Sequence, residues 1–470
     1  MSIAFGKTLS VRETPIPGLV VLDLPVHGDA RGWFKENWQR EKMTVAGIDL
    51  PDFGPVQNNI SFNDAVGTTR GIHAEPWDKY VSVATGRIFG AWVDLREGES
   101  FGAVFTTELD PSTAIFVPRG VGNSYQTLEA DTAYTYLVND HWSPDATYTF
   151  LNLADETAAI EWPIPLSQVE ISAKDKAHPR LSDVIPMPPQ KILVTGANGQ
   201  LGRALRAEFG EHPWIEYATR DDLDLTSPDL DGARRWRDYG TIINAAAYTK
   251  VDAAETPEGR AEAWAANVWA VSALARIAVA NGITLIHISS DYVFDGSKSE
   301  AYSATDPVAP LGVYGQTKAA GDAIVGTVPT HYIVRTSWVI GDGANFVRTM
   351  ASLAGRGVDP RVVNDQTGRL SFTRDIASAI RTLLESGAPS GVYNVTGDGA
   401  PQTWFDIARD VFALLGHDPD RVTGVSTEDY FSQAVTPIAP RPRNSLLSLD
   451  RSGPIATHSA TERLREYLGV

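Results

Sequence analysis

Lys191-Ile-Leu-Val-Thr195 runs directly into Gly196-Ala-Asn198-Gly199-Gln200-Leu201-Gly202, and the fold is read outward from this stretch. The first five residues are an apolar, β-branched run of the buried-strand type. Three glycines spaced three apart follow at once. Glycines there let the backbone turn tightly and approach a pyrophosphate, which then rests on the N-terminus of a helix beginning near Leu201. A glycine-rich turn with no ligand uses the same residues. The strand before and the helix after favour a dinucleotide site.

Downstream, apolar strands alternate with Ala-rich helical stretches. Thr241 to Ala247, then Ala261 to Gly282, then Thr284 to Ser289 keep a βαβ rhythm, which implies a parallel sheet. Upstream the texture changes. Tyr80 to Leu95 and Ala114 to Pro118 are short strand-like runs separated by Gly, Asp and Pro turns, as in an all-β sandwich or barrel. Between the textures lies Val184-Ile-Pro-Met-Pro-Pro-Gln190, whose three prolines stiffen it into a short extended spacer. The expected domains are therefore 1–183, a Pro-rich linker at 184–190, and 191–470.

Composition narrows the function classes. A 470-residue chain exceeds one ordinary core. The absence of cysteine removes disulfides, thiolate nucleophiles, zinc-thiolate sites and iron–sulfur clusters together. A formal net charge of −18 argues against nucleic acid as a partner. No run of about 18 uncharged apolar residues occurs and no signal peptide is visible, so neither a membrane span nor secretion is expected, and the cytoplasm follows by default.

The glycine spacing resembles the extended short-chain dehydrogenase/reductase family, which implies a Tyr-x-x-x-Lys pair further on. Tyr314-Gly-Gln-Thr-Lys318 supplies it. Such a pair shares one helical face, and the ammonium is expected to lower the phenol pKa from about 10 towards neutrality. Tyr314 can then protonate a carbonyl oxygen as hydride reaches its carbon. His287-Ile-Ser-Ser290-Asp291-Tyr292 resembles the strand-end segment of dTDP-4-dehydrorhamnose reductases, with Ser290 where Thr is usual. Asn244-Ala245-Ala246-Ala-Tyr248-Thr249 resembles that family's wall against the nicotinamide. Trp338, Asn345 and Arg441 fall in phrases resembling its substrate signatures. Related nucleotide-sugar dehydratases carry an Asp-Glu pair after the strand-end hydroxyl. Here Tyr292 follows Asp291, so the eliminating acid is missing; a non-catalytic regulatory relative would have lost Tyr314 or Lys318. For the cofactor, the second strand ends in Arg220-Asp-Asp-Leu-Asp224-Leu225. An arginine there suits a 2′-phosphate, giving NADPH, while Asp221 and Asp222 keep NADH open.

The N-terminal half resembles dTDP-4-dehydrorhamnose 3,5-epimerases, which are cupin-type jelly rolls. The carrying phrases include Asp29-Ala-Arg31-Gly-Trp-Phe-Lys-Glu36, Gln57-Asn-Asn59, Arg70-Gly-Ile-His73, Lys79, Tyr136 and Ser172-Ala-Lys-Asp175. The resemblance implies His73 as a base oriented by Asp175, Tyr136 as the acid on the opposite face, and Arg70 and Lys79 at the enolate or diphosphate. Arg31, Glu36, Gln57 and Asn59 would hold substrate. Inverting a carbon beside a ketone needs this set: a base, an acid, and positive charge at the developing enolate. His73-Ala-Glu75 could instead open a cupin metal site. The second cupin segment, Gly120-Val-Gly-Asn123, offers no histidine, so no metal is expected. Asn123 replaces the family's usual His, and Ala74 and Glu75 its large residue and Gln.

Together these readings imply a jelly roll followed by a Rossmann-type doubly wound sheet with a small substrate subdomain. They imply a bifunctional enzyme that epimerises dTDP-4-dehydro-6-deoxy-D-glucose at C3 and C5, then reduces C4 to give dTDP-L-rhamnose. The alternatives are a reductase carrying a non-catalytic barrel as a dimerisation or binding module, and a fused pair making another 6-deoxyhexose on dTDP or UDP. A homodimer is implied by resemblance.

Overall fold

The computed structural model describes residues 3, 5–45, 53–144, 146–450 and 453–470. The chain forms two compact units, Met1–Pro189 and Gln190–Val470.

The first unit is two antiparallel sheets. One has six strands in the order Ser10–Glu13, Val20–Asp23, Thr113–Val117, Lys79–Thr85, Thr132–Val138, Gln57–Asn63. The other has five: Thr149–Phe150, Thr69–Ala74, Val121–Thr127, Ile88–Asp94, Val104–Leu109. Val81, Val83, Ile115 and Val117 from the first sheet meet Ile88, Trp92 and Tyr125 from the second in a shared core. That is the inner packing of a sandwich. The Pro-rich segment is held against this unit. Val184 and Met187 are buried in a barrel cluster with Leu95 and Val93. The Met187 amide donates to the Leu95 carbonyl at 2.7 Å. Three prolines in seven residues lose little entropy when fixed in this way.

The second unit is built on a six-stranded parallel sheet. Its order is Ile215–Ala218, Lys191–Thr195, Tyr239–Asn244, Thr284–Ser290, His331–Thr336, Gly391–Asn394. The chain turns from one side of Lys191–Thr195 to the other after its second strand, so the topological switch point lies at that strand's C-terminal end. Ligands bind in such sheets there. Two hydrophobic clusters pack on the sheet. A third, with Val347, Ile407, Val411 and Leu464, joins the helices Phe346–Gly355, Trp404–Leu414 and Ala460–Leu468 into a separate subdomain.

One helix, Pro257–Asn281, is long and apolar enough by length and composition to cross a membrane, although it lacks the uncharged run sought in the sequence. Its buried Val271, Leu274, Ala275 and Ala278 pack against Leu193, Ile242 and Leu285 of the sheet, as a core helix does. A π-helical turn at Ala265–Trp269 interrupts it and points Asn267 inward, where its amide holds the Tyr248 backbone.

Candidate active sites

In the second unit the glycines are required by contact. A Cβ on Gly196 would stand 2.7 Å from the Ala246 nitrogen, and one on Gly202 would stand 2.3 Å from the Gly196 carbonyl oxygen. The helix Gln200–Phe209 thus begins against the turn itself, its first-turn N–H groups unpaired within the helix. A cleft of ≈ 690 Å³ opens there, lined by Gly196, Asn198, Gly199, Arg220, Asp224, Leu225, Ala245, Ala246 and Tyr248 among others. Leu201 packs into the sheet core below, Gln200 opens the helix, and Thr249 is exposed beside the lining. At the strand tip, Asp222 is engaged by Thr219 and Asp224 by Thr226. Arg220 is exposed and makes no hydrogen bond or ion pair among the described residues.

Tyr314 and Lys318 lie on the helix Val313–Val325. The Tyr314 hydroxyl is hydrogen-bonded to Ser290, and its ring meets Tyr292 edge-on at 5.5 Å. The expected lowering of the Tyr314 pKa does not occur. Burial and then the charge of Asp291 raise it, with only Ser290 opposing among the side-chain hydrogen bonds. Lys318 is 1% exposed, and its Nζ donates to the Ile288 carbonyl (2.5 Å) and faces His287 Nε2 (3.2 Å), away from the phenol. Burial pushes Lys318 down to about 8 against the pull of Asp322.

Two residues missed by sequence reasoning complete this centre. Asp291 accepts from Ser290 Oγ at 2.9 Å, and burial pushes it up to about 6. His287, fully buried, faces the Asn244 amide through Nδ1 (3.2 Å), and that amide is in turn hydrogen-bonded to the Thr195 hydroxyl (2.8 Å). A buried histidine next to a strand-end Ser-Ser-Asp was visible in the sequence. Its contact with Lys318, 31 residues on, was not.

The substrate-type residues separate into two groups. Arg441 pairs with Asp252 at 2.8 Å, covers the Phe431 ring and hydrogen-bonds Tyr292, so it adjoins the Tyr314 centre. Trp338 has φ +45° and stacks on Trp404 at 3.8 Å, a partner the sequence reading did not name. Asn345 is committed elsewhere. It caps the helix Phe346–Gly355 through Oδ1, and its Nδ2 binds Tyr467 and the Gly341 carbonyl.

In the barrel, Arg70 and His73 sit three apart on one strand, a spacing that would normally place them on opposite faces. A bulge in this strand, three residues from Arg70 to His73 against two from Tyr125 to Asn123 on its neighbour, brings both to one face. Gly71 permits it: φ is +120°, and a Cβ would meet Ser124 at 2.5 Å. His73 Nε2 lies 3.0 Å from Asp175 Oδ1, while the Gly71 amide donates to Oδ2 at 3.3 Å. Ser172 caps the short helix that carries Asp175. Burial raises the Asp175 carboxyl, but the His73 hydrogen bond and charge and the Gly71 amide outweigh it and hold it below its usual value. His73, Asp175 and Arg70 line a cavity of ≈ 500 Å³.

Tyr136 opposes Asn59 in register, and Gln57 and Asn59 hydrogen-bond side by side on that face. Lys79 is buried, ion-paired with Glu75 and 5.6 Å over the Tyr136 ring. Burial, then Glu75, raises the Tyr136 pKa, and Arg70 lowers it. Asn123 accepts from Trp92 Nε1 (3.0 Å) and Tyr134 (3.1 Å), so the substituted position is occupied structurally. Tyr136, Lys79, Gln57 and Asn59, like Arg31 and Glu36, lie outside the lining of the His73 cavity. Arg31 pairs with Asp29 on an exposed hairpin, and Glu36 pairs with Lys42. His178, unremarked in the sequence, joins His73 and Asp175, the three ligand-type atoms lying within 4.8 Å of one another.

The family model for dTDP-4-dehydrorhamnose 3,5-epimerase matches residues 13–183, and that for the RmlD substrate binding domain matches 190–467. The chain belongs to both families. Its epimerase-type half is similar to the protein named RmlC homolog of Streptococcus pyogenes serotype M6, 52% identical over 194 residues, which cover 40% of this chain and 98% of that one. Its reductase-type half is similar to the dTDP-4-dehydrorhamnose reductase of Aggregatibacter actinomycetemcomitans, 37% identical over 281 residues, covering 56% of this chain and 91% of that one. A solved dTDP-4-dehydrorhamnose reductase from Bacillus anthracis, in complex with NADP, superposes with a TM-score of 0.54 at 31% identity, covering 60% of this chain and 100% of that one. Family membership thus assigns the jelly roll and the Rossmann-type sheet their separate chemistries.

Proposed function

We propose that this chain is a bifunctional nucleotide-sugar enzyme. The barrel epimerises dTDP-4-dehydro-6-deoxy-D-glucose at C3 and C5, and the second unit reduces the C4 ketone with NADPH to give dTDP-L-rhamnose. The observation carrying this reading is the pairing in one chain of the His73–Asp175 dyad, with Arg70 lining the same cavity, and the Ser290–Tyr314 pair at the end of a dinucleotide-type sheet.

In the barrel, His73 removes a proton from the carbon beside the ketone. Asp175, ionised and bonded to His73 Nε2, fixes the tautomer that leaves Nδ1 free and stabilises the imidazolium. Tyr136, kept protonated by its raised pKa, returns a proton from the other side. Arg70 and Lys79 supply positive charge to the enolate. Gln57 and Asn59 lie on the Tyr136 face and orient the sugar; Arg31 and Glu36 belong to the nucleotide end.

The glycine cradle and the helix N-terminus fit a dinucleotide pyrophosphate, and the solitary Arg220 fits a 2′-phosphate. Bound NADPH supplies the hydride. Ser290 positions the ketone oxygen and Tyr314 protonates it, a task suited to a phenol held neutral by burial. Arg441 and Trp338 bind the substrate beyond.

A homodimer is the proposed assembly. Gln57–Asn63 is the open edge of its sheet and presents Ile60, 69% exposed, and Phe62, 55% exposed. An edge with apolar side chains invites pairing. The compartment proposed is the cytoplasm.

The test is incubation with dTDP-4-keto-6-deoxyglucose in D2O, with and without NADPH, followed by NMR of the sugar. Deuterium at C3 and C5 without NADPH, and the rhamnose configuration with it, are expected. Absence of deuterium while NADPH is consumed would make the barrel a binding module.

A further inference from the structure

His178 has no task in the proton transfers above, yet it is placed as if it had one. It follows directly on the helix Ala173–Lys176 and its C-cap, and is 9% exposed. Its ring stacks on Phe150 (centroids 4.8 Å) and meets His73 edge-on at 5.3 Å. Nε2 is 3.8 Å from Asp175 Oδ1. Among the described residues neither ring nitrogen makes a hydrogen bond of good geometry, although the Leu151 carbonyl lies near as an acceptor. Buried polar atoms in that condition call for a partner, and a bound cation can supply one. The His178 ring thus shares one small space with the Asp175 carboxylate and the His73 imidazole.

We propose that His73, Asp175 and His178 form a site for a borderline divalent cation of the Zn2+ type, and that its occupation switches the epimerase off. Two imidazoles and one carboxylate suit such ions, leaving a position for water. The ligand atoms, all within 4.8 Å, need only small side-chain adjustments to surround one ion. Inhibition follows from tautomerism. In the free barrel, Nε2 of His73 carries the proton given to Asp175, and Nδ1 holds the basic lone pair. A cation on Nε2 moves that proton to Nδ1, so no proton leaves the ring, and the lone pair that would attack the substrate is lost. The site differs from the cupin arrangement considered from the sequence, because its second histidine comes from the segment after the barrel and not from the Asn123 strand. Binding stands independently of the proposed function; inhibition rests on His73 being the base.

The experiment uses the full chain stripped with a chelator. Co2+ is titrated and its visible d–d absorption recorded, and deuterium exchange into the 4-keto sugar is measured with and without Zn2+. Wild type should bind one Co2+ in this site. Equimolar or slightly excess Zn2+ should cut exchange at least about tenfold, reversibly by chelator, while NADPH oxidation on sugar epimerised beforehand is unaffected. In His178→Phe, which keeps the stack on Phe150, Co2+ affinity should fall by about 10–100-fold or more. Zn2+ should then change exchange less than twofold relative to that variant's own metal-free rate. His178→Asn serves as the second variant if the first does not fold. Equal Zn2+ sensitivity of wild type and a folded His178 variant, or no sensitivity in wild type, overturns the proposal. Co2+ binding lost in the variant, with no exchange in metal-free wild type, would retain the site and overturn the epimerase reading instead.

Discussion

Replacing His287 with leucine should move the alkaline limit of ketone reduction downward, and the size of the move can be worked from the structure. Lys318 is sealed from solvent, and its ammonium has two acceptors, the Ile288 carbonyl and His287 Nε2. His287 is pushed well below its usual pKa by burial and by the Lys318 charge, so it stays neutral. A neutral ring that accepts at Nε2 carries its proton on Nδ1, which then requires the Asn244 amide to present its oxygen. The acceptor favours the charged form of Lys318, whose pKa already lies at about 8. A hydrogen bond to a charged group is worth about 1.5–3 kcal/mol, or roughly 1–2 pKa units. Without it the ammonium should titrate roughly 1–2 units lower still; with Lys318 proposed to hold NADPH in its charged form, reduction at pH 7.5 should then fall roughly tenfold while remaining near normal at about pH 5.5. His287→Gln, which restores an acceptor, should recover the upper limit. The assay is NADPH oxidation on sugar already epimerised, taken across pH. A loss of the same size at every pH, or equal behaviour of the leucine and glutamine variants, would refute the reasoning and leave His287 as packing.

Three further outcomes follow from the two centres. Tyr314→Phe should lower reduction by about 10²–10⁴-fold, the usual worth of a general acid, while deuterium exchange at C3 and C5 persists; the NMR assay reads both. Arg220→Ala should weaken NADPH far more than NADH, since a charge-assisted bond to the 2′-phosphate is lost; equal losses in the two Kd values would make it a surface charge. His73→Ala should abolish exchange and leave NADPH consumption on pre-epimerised sugar intact, with Asp175→Asn leaving a residue of exchange.

Much of the fold was legible because local chemistry and global packing agree. Leu193, Val194 and Thr195 are buried in a parallel sheet, and of the following glycines Gly196 and Gly202 are fixed by approaches under 3 Å that a Cβ would not tolerate. The prolines at 186, 188 and 189 marked the division, but whether such a segment hangs free depends on its neighbours. Met187 found a place beside Leu95, and nothing in its own sequence announces that. The composition of a long helix is ambiguous in a different way. Pro257–Asn281 meets the length and composition of a span because a helix buried against a sheet is made of the same residues.

The sites were legible as residue types and illegible as electrostatics. Spacing put Tyr314 and Lys318 on one helical face, and the structure does so. The inference that the ammonium lowers the phenol failed, because it counted one charge and ignored the medium. Tyr314 is buried beside Asp291, and the nearest ammonium is turned toward Ile288 and His287. Desolvation raises a phenol, and a neighbouring anion raises it further. The correction changes the mechanism in a useful direction: for reduction the residue must give a proton, and a phenol held neutral is ready to do so. The same blindness to long-range contact hid His178. It reads as one histidine among nine until the chain returns it to the strand that carries His73, where its Nε2 comes within 3.8 Å of the Asp175 carboxylate. Contacts between residues far apart in the chain, 102 residues at His73–Asp175 and 31 at His287–Lys318, are where spacing alone stops informing, and both centres are built on them.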